Sequence, residues 1–268
     1  MISDNAFSRI FGLIGRFEFI KPVQERINSQ YVKFFKIDMS EFKDVSEYKS
    51  LNELFTRSLL KPREFDTADE IFISPCDGTC LSVGSSERSK AFSIKGMSYD
   101  IKELLGTAMS EAADAQYDFA NIYLSPKDYH HYHAPCDLQI KRAVYIPGKL
   151  YSVAVKWLKK VESLYTKNER VALECEMSGG RRLWLVFVGA LNVGKMKFVF
   201  DERIQTNAMA DFTQIYEYEN LKFKKGDRLG NFELGSTIVI ISEHGSIEYN
   251  LFEGKELKFA ESIGLIKF

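Results

Sequence analysis

Cysteine is scarce in these 268 residues, where Cys76, Cys80, Cys136 and Cys175 are the whole complement. Four thiols are too few for a disulfide framework in a chain of this size, and they read as reduced thiols of a cytosolic setting. Cys76 and Cys80 have the spacing of zinc ligands, but Cys136 and Cys175 form no second pair, so no structural metal site is expected. Excess charge is missing too. Lys and Arg number 36 against 37 Asp and Glu, a net charge of −1, which leaves no basic field for nucleic acid. No basic start runs into an unbroken apolar stretch, so no signal peptide is expected. The longest apolar run, LWLVFVGALNV at 183–193, is about half of what a bilayer crossing needs and reads as a buried strand and its turn. With 45% hydrophobic and 27% charged residues, the chain has the composition of a soluble globular protein. Its length suits one large domain, or a core domain with an accessory segment.

The first 36 residues stand apart. Phe7, Ile10, Phe11, Ile14 and Phe17 recur at helical spacing behind the capping candidates Ser3, Asp4 and Asn5. A second amphipathic pattern follows through Val23, Ile27, Tyr31, Phe34 and Phe35, and six basic against three acidic residues give residues 1–36 a local charge of +3. Two readings stay open: a helical hairpin packed on the core, or an interfacial element whose apolar face enters lipid. From about residue 70 the pattern turns to short strands at 71–73, 122–124, 140–146, 171–177, 183–188, 196–200 and 237–241. Turn signals such as Asp77-Gly78, Pro147-Gly148, Gly179-Gly180 and Gly226-Asp227 separate them. Helical stretches are expected at 101–112 and 153–159. Strands with few helices between them predict an α+β fold with a mainly antiparallel β core, a folded-over or barrel-like sheet, carrying N-terminal amphipathic helices. The expected division is a helical membrane-associating segment at 1–50 and a catalytic β-rich domain at 51–268.

Three of the four histidines crowd into Asp128-Tyr129-His130-His131-Tyr132-His133, and histidine is the side chain most easily poised for proton transfer near neutrality. At a strand end His131 and His133 share one face and His130 takes the other; in a turn His130 and His133 converge. A metal would find a local histidine pair but no obvious third ligand. Asp77 lies in a Ser-Pro-Cys-Asp-Gly turn. Asn168-Glu169-Arg170 reads as an exposed charged turn. The stretch 189–194, GALNVG, is glycine-rich but lacks nucleotide-binding spacing, and Lys95-Gly96 reads as a loop entering a helix. FELGSTIVII at 232–241 is a strand whose start is interrupted by Gly235-Ser236-Thr237; the bland reading is a bulge or bend.

Together these pieces resemble the phosphatidylserine decarboxylases, pyruvoyl-dependent enzymes of phospholipid synthesis. The resemblance runs from Leu51-Asn52-Glu53-Leu54-Phe55-Thr56-Arg57 through Lys61-Pro62-Arg63, the Asp77-Gly78 turn, Lys95-Gly96 and Leu124-Ser125-Pro126-x-Asp128-Tyr129-His130-x-x-His133-x-Pro135. It continues in Asn168-Glu169-Arg170, Val188-Gly189-Ala190-x-Asn192-Val193-Gly194, Lys225-Gly226-Asp227-x-x-Gly230-x-Phe232 and Gly235-Ser236-Thr237. His131 stands where arginine is usual, Cys76 where alanine is common, and Leu191 where a small or hydroxyl residue is usual.

The resemblance implies that the chain cuts itself between Gly235 and Ser236, giving a β chain 1–235 and an α chain 236–268 that stay together as a heterodimer, alone or in a dimer of these. Ser236 Oγ would attack the Gly235 carbonyl with His133 as base and Asp77 orienting the imidazole, and glycine leaves that carbonyl open. Residue 236 would become a covalent pyruvoyl cofactor that forms a Schiff base with phosphatidylserine and accepts electrons as carbon dioxide leaves. His130 or His133 would protonate Cα, giving phosphatidylethanolamine. A bilayer substrate implies peripheral binding to the cytoplasmic face of the cell membrane. A Ser-His-Asp hydrolase is the rival, but such enzymes usually show a GxSxG elbow between strand and helix, and Ser236 precedes a β pattern.

Overall fold

The computed structural model describes residues 15–86, 92–94, 97–109, 115–153, 161, 163–190, 195–206, 212–233 and 236–268, with the backbone alone at 92–94, 97, 98 and 236. The first expected amphipathic pattern up to Ile14, Lys95-Gly96, 154–159 of the second expected helix, 191–194 and Gly235 lie outside the described residues. Two α-helices precede the first strand, α1 (Lys21–Phe35) and α2 (Leu51–Phe55); α3 (Ile101–Leu105) and α4 (Leu164–Lys167) lie further on. The strands are β1 (Ile71–Ile73), β2 (Gly78–Ser85), β3 (Phe92–Ile94), β4 (Met97–Tyr99), β5 (Tyr117–Leu124), β6 (His131–His133), β7 (Leu138–Ile146) and β8 (Arg170–Met177). They continue as β9 (Arg182–Val188), β10 (Met196–Phe198), β11 (Gln214–Phe223), β12 (Arg228–Phe232), β13 (Ser236–Glu243), β14 (Ile247–Tyr249), β15 (Glu256–Leu257) and β16 (Ser262–Ile266).

Eight strands form one antiparallel sheet in the order β11-β7-β8-β9-β13-β5-β2-β15. Both of its faces are covered, which explains why its central strands read as unbroken apolar runs. Leu183, Leu185 and Phe187 of β9 and Ile238 and Ile240 of β13 enter one core with Tyr132, Phe198 and Phe232. Trp184, Val186, Val188, Val239 and Ile241, the alternate residues, enter a second core with Ile101, Leu104 and Leu105 of α3. The period of two that strands impose therefore sorts one sequence into two cores. All four cysteines are buried free thiols, and among the described residues no group of three His, Cys, Asp or Glu stands as metal ligands would. A small sheet, β10-β12-β6, lies against the first core. Gly230 of β12 is required there, because a Cβ would come 1.9 Å from the Lys197 carbonyl oxygen and 2.6 Å from the Tyr132 ring.

Two expectations need correction. Asn168, Glu169 and Arg170 are buried rather than an exposed turn. The Asn168 amide bonds the backbone of Tyr151 and the Gly189 carbonyl, Glu169 accepts from Tyr145 Oη at 2.7 Å, and Arg170 donates to the carbonyls of Glu103, Leu104, Thr166 and Asn168. Each of these side chains is hydrogen-bonded, as buried polar groups nearly always are. The helix at 101 ends early: α3 stops at Leu105 and a 3₁₀ turn, Gly106–Ala108, follows. Gly106 takes a positive φ of 55°, which favours glycine.

Candidate active site

Residues 125–130 lead from β5 into β6 at one end of the large sheet, and at the same end β12 stops at Phe232 and β13 starts at Ser236. These strands pair with each other: Leu124 with Ser236, and His131 with Asn231. The Phe232 N–H bonds the His130 carbonyl at 2.9 Å. Ser236 lies four residues beyond Phe232, a reach of at most about 14 Å. Across β5, Tyr123 pairs with Thr79 on one side and Thr237 on the other, so Asp77 and Ser236 share this end of the sheet. The His133 N–H reaches the Pro75 carbonyl at 2.8 Å. Asp77, His130, His133 and the backbone of Ser236 are thus drawn around the end of β5. The same region holds a buried carboxylate, Glu233, paired with Lys197 Nζ at 2.7 Å and with Arg16.

The histidines follow the strand alternative. His131 and His133 both lie against the Tyr129 ring, at 4.8 and 5.8 Å, while His130 packs on Phe55 at 3.9 Å. Carbonyl acceptors fix each tautomer, since a carbonyl cannot donate. His130 Nδ1–H donates to the Asp128 carbonyl (2.8 Å), His131 Nε2–H to Thr56 (2.9 Å), and His133 Nδ1–H to Gly226 (2.9 Å). The lone pair of His133 is therefore on Nε2, where it accepts from Tyr129 Oη at 3.1 Å. His130 Nε2 is buried and has no partner among the described residues. Burial, the largest cause in each case, pulls the imidazoles down, His130 and His131 to about 3 and His133 to about 4. Arg57 presses His130 further in that direction, and Arg228 presses His131. All three are neutral at pH 7, so position 131 adds no positive charge beside the site.

Asp77 is placed differently from the expectation. Its carboxylate accepts from Arg63 Nη1 at 2.5 Å and Nη2 at 3.1 Å, and from the Phe259 N–H at 2.7 Å. The imidazole of His133 is instead held by the Gly226 carbonyl and by the Phe259 ring, stacked at 3.7 Å. Phe259 thus links the two groups: its N–H is on Asp77 and its ring on His133. Arg63 also grips Glu41 through two bonds of 2.8 Å. Asp77, Arg57, Arg63, Phe42, Lys127 and Lys258 line part of a cleft of about 390 Å³ that opens here. Arg63, Gly226 and Phe259 were not among the sequence-derived candidates. Arg63 and Gly226 lie in motifs that carried no assigned task, and nothing in the sequence marks Phe259.

Buried neutral imidazoles with a free or lightly held lone pair, gathered with a carboxylate where a strand begins in serine, define an enzyme centre. Comparison with known proteins says which kind. The sequence model of phosphatidylserine decarboxylase matches residues 51–265. A phosphatidylserine decarboxylase proenzyme of Campylobacter jejuni is 53% identical over 261 residues, covering 96% of this chain and 97% of the relative. One of Helicobacter pylori is 50% identical over 97% of this chain and 96% of its own length. One of Marinobacter nauticus is 34% identical, covering 97% and 93%. The chain belongs to the phosphatidylserine decarboxylase family, and so to the carboxy-lyases.

Proposed function

We propose that this chain decarboxylates phosphatidylserine to phosphatidylethanolamine after cutting itself between Gly235 and Ser236, residue 236 becoming the pyruvoyl group. The observation that carries the reading is the pairing of Leu124 with Ser236, which draws the start of β13 to the connection that bears His130. Ser236 needs a base, and His133 is neutral with its lone pair on Nε2, the atom to which the serine proton would pass once Tyr129 yields it. The Gly226 carbonyl and the Phe259 ring keep that nitrogen in its orientation, the task expected of Asp77. Asp77, tied to Arg63, contributes negative charge near the site without touching the imidazole.

The residues present suit a pyruvoyl group. The backbone at 236 is held in the ladder, and His130 offers a buried nitrogen with no partner among the described residues. When formed, the group supplies an electrophile for the substrate amine and a sink for the electrons left by carbon dioxide. His130 Nε2, unprotonated at rest, is the atom able to take up a proton and return it at Cα. The two chains stay together for a mechanical reason: β13 is hydrogen-bonded on both sides, by β5 and β9, in the interior of the large sheet.

Peripheral binding to the cytoplasmic face of the cell membrane completes the reading. The supporting feature is α1, which turns Gln24 and Asn28 inward while Ile20 just before it and Phe34 near its end are 75% and 79% exposed. The test of the whole proposal is the intact mass of the denatured protein. Two chains, 1–235 and a pyruvoyl-started 236–268 that co-purify under native conditions, are expected, and one uncut chain from the Ser236→Ala variant. An active preparation with a single full-length chain would overturn the proposal in favour of a hydrolase.

A further inference from the structure

Residues 55–57 follow one another at the end of α2, and each grips the histidine segment. The Phe55 ring lies on the His130 imidazole at 3.9 Å. The Thr56 carbonyl accepts from His131 Nε2–H at 2.9 Å. Arg57 Nη2 donates to the carbonyls of Lys127 at 2.7 Å and Asp128 at 3.1 Å. The Asp128 carbonyl oxygen also accepts from His130 Nδ1–H, so the guanidinium and the imidazole meet on one oxygen atom. That oxygen has two lone pairs, and both are used.

Arg57 is unusual in its surroundings. It is 2% exposed, its hydrogen bonds among the described residues all go to carbonyls, and its Nε has no partner there. Its guanidinium lies over the Phe42 ring at 4.5 Å. The nearest chemistry-bearing carboxylates are engaged elsewhere: Asp128 accepts from Ser125 N and Oγ at 2.7 and 2.8 Å, and Asp77 from Arg63. A buried cation without a contacting carboxylate destabilises a fold. Stability alone does not explain its presence, and its contacts lead to the histidine loop.

We propose that Arg57 is a positioning residue for His130: its buried guanidinium fixes the Asp128 carbonyl, and through it the Nδ1–H tautomer that leaves Nε2 as the open nitrogen. Phe55 closes the ring's other freedom by packing on its face. The charge acts in the same sense as the geometry, because a nearby cation in a medium of low dielectric opposes protonation of the imidazole. The groups facing His130 are Arg57 from the segment after α2 and His131, the first residue of β6. Arg228 from β12 bears on His131 and His133 instead. Asp77 and Asp128 act at longer range, on Arg57. The role given to His130 rests on the function proposed above, whereas its tautomer and titration do not.

The test uses the full chain with Ser236→Ala, which cannot form the pyruvoyl group, labelled with ¹⁵N in histidine. Imidazole nitrogen shifts are followed from pH 8 to pH 5.5, a range in which the chain stays folded. Native Arg57 is expected to give His130 as the neutral Nδ1–H form throughout. Arg57→Met is expected to mix the tautomers and shift His130 towards protonation at the acid end of that range, while the His133 signal, held by Gly226, stays put. Arg57→Lys, which returns the charge without the fork, is expected to restore the resistance to protonation but not the single tautomer. A native His130 in the Nε2–H form, or titrating near pH 6.5, would overturn the proposal even if the variants do not fold. So would a folded Arg57→Met chain with an unchanged His130. In the self-cleaved enzyme, Arg57→Met is expected to lower kcat at least tenfold at unaltered KM. Loss of cleavage itself in the unsubstituted chain would count against the pyruvoyl reading and leave the tautomer result standing.

Discussion

Arg63 illustrates how much a single side chain can organise. One guanidinium makes four bonds to two carboxylates, Glu41 and Asp77, and sets Asp77 beside the Phe259 N–H. Arg63→Ala removes the shared partner of both acids, and with Asp77 largely buried the expected loss is about 2–4 kcal/mol of unfolding free energy. Arg63→Lys should recover less than half, because an ammonium cannot make two bidentate pairs. Urea unfolding of the uncut Ser236→Ala chain measures both. Equal stability of the Ala and native forms would mean that the ion pairs contribute nothing. The sequence marked Asp77, His130 and His133 because those residue types carry their chemistry wherever they stand. It was silent on who orients them. Gly226, Asp128 and Thr56 act through carbonyl oxygens, which every residue has, so no letter of the sequence distinguishes them. Asp77 was expected on His133 by analogy with a triad; an arginine fourteen residues upstream was a stronger partner than a neutral imidazole already satisfied by a carbonyl.

At the scale of elements, α1 departs from ordinary amphipathic logic. A helix packed on a core buries its apolar stripe, yet here Gln24 and Asn28 face the body, joined at 2.8 Å, and Asn28 reaches the Tyr48 carbonyl at 2.9 Å. Val23 and Phe34 face out. The peripheral membrane binding proposed above would use this outward surface, with Lys21, Lys33 and Lys36 close by in sequence for anionic headgroups. Ile20→Asp with Val23→Asp should reduce co-sedimentation with anionic phosphatidylserine vesicles at least fivefold and leave self-cleavage intact. Unchanged binding would remove α1 from the membrane surface. Point changes are preferable to truncation, because Arg16 pairs with the buried Glu233 two residues before Gly235. The helical period at 23–35 was legible, but its direction was not: the apolar positions were visible, and the polar contacts that turn them outward depend on Tyr48 and the 3₁₀ turn Val45–Glu47. Strands β1, β8, β9 and β13 were legible from their apolar runs. Strand β11 was not, since Gln214–Phe223 has no fully buried residue and lies at the sheet edge. Neither was β6, whose three residues read first as chemistry.

The whole molecule inherits a pH response from keeping three imidazoles dry. In the unfolded chain each histidine takes up a proton near pH 6.5, while the folded chain holds His133 neutral to about 4 and His130 and His131 to about 3. Above pH 6.5 both states are neutral and these groups contribute no slope. Below it the unfolded chain binds protons that the folded chain excludes, so stability falls as the pH falls. Each histidine contributes ~1.4 kcal/mol per pH unit, and the three together about 4. Asp128, raised by its burial, opposes this near its own titration, whereas Glu41 and Asp201, lowered by their arginine partners, add to the loss in the acid range. Against an ordinary domain stability of about 5–15 kcal/mol, the histidine contribution removes about 4 kcal/mol by pH 5.5 and about 8 by pH 4.5, a large share of the whole. Urea midpoints of the uncut Ser236→Ala chain at pH 7.5, 6.5, 5.5 and 5 should be level over the first interval and then drop steeply. His131→Gln should reduce the slope by about a third, if it folds with the Thr56 carbonyl still satisfied. A midpoint that stays level to pH 5 would mean the imidazoles are not held neutral, and with that the base at His133 would lose its basis.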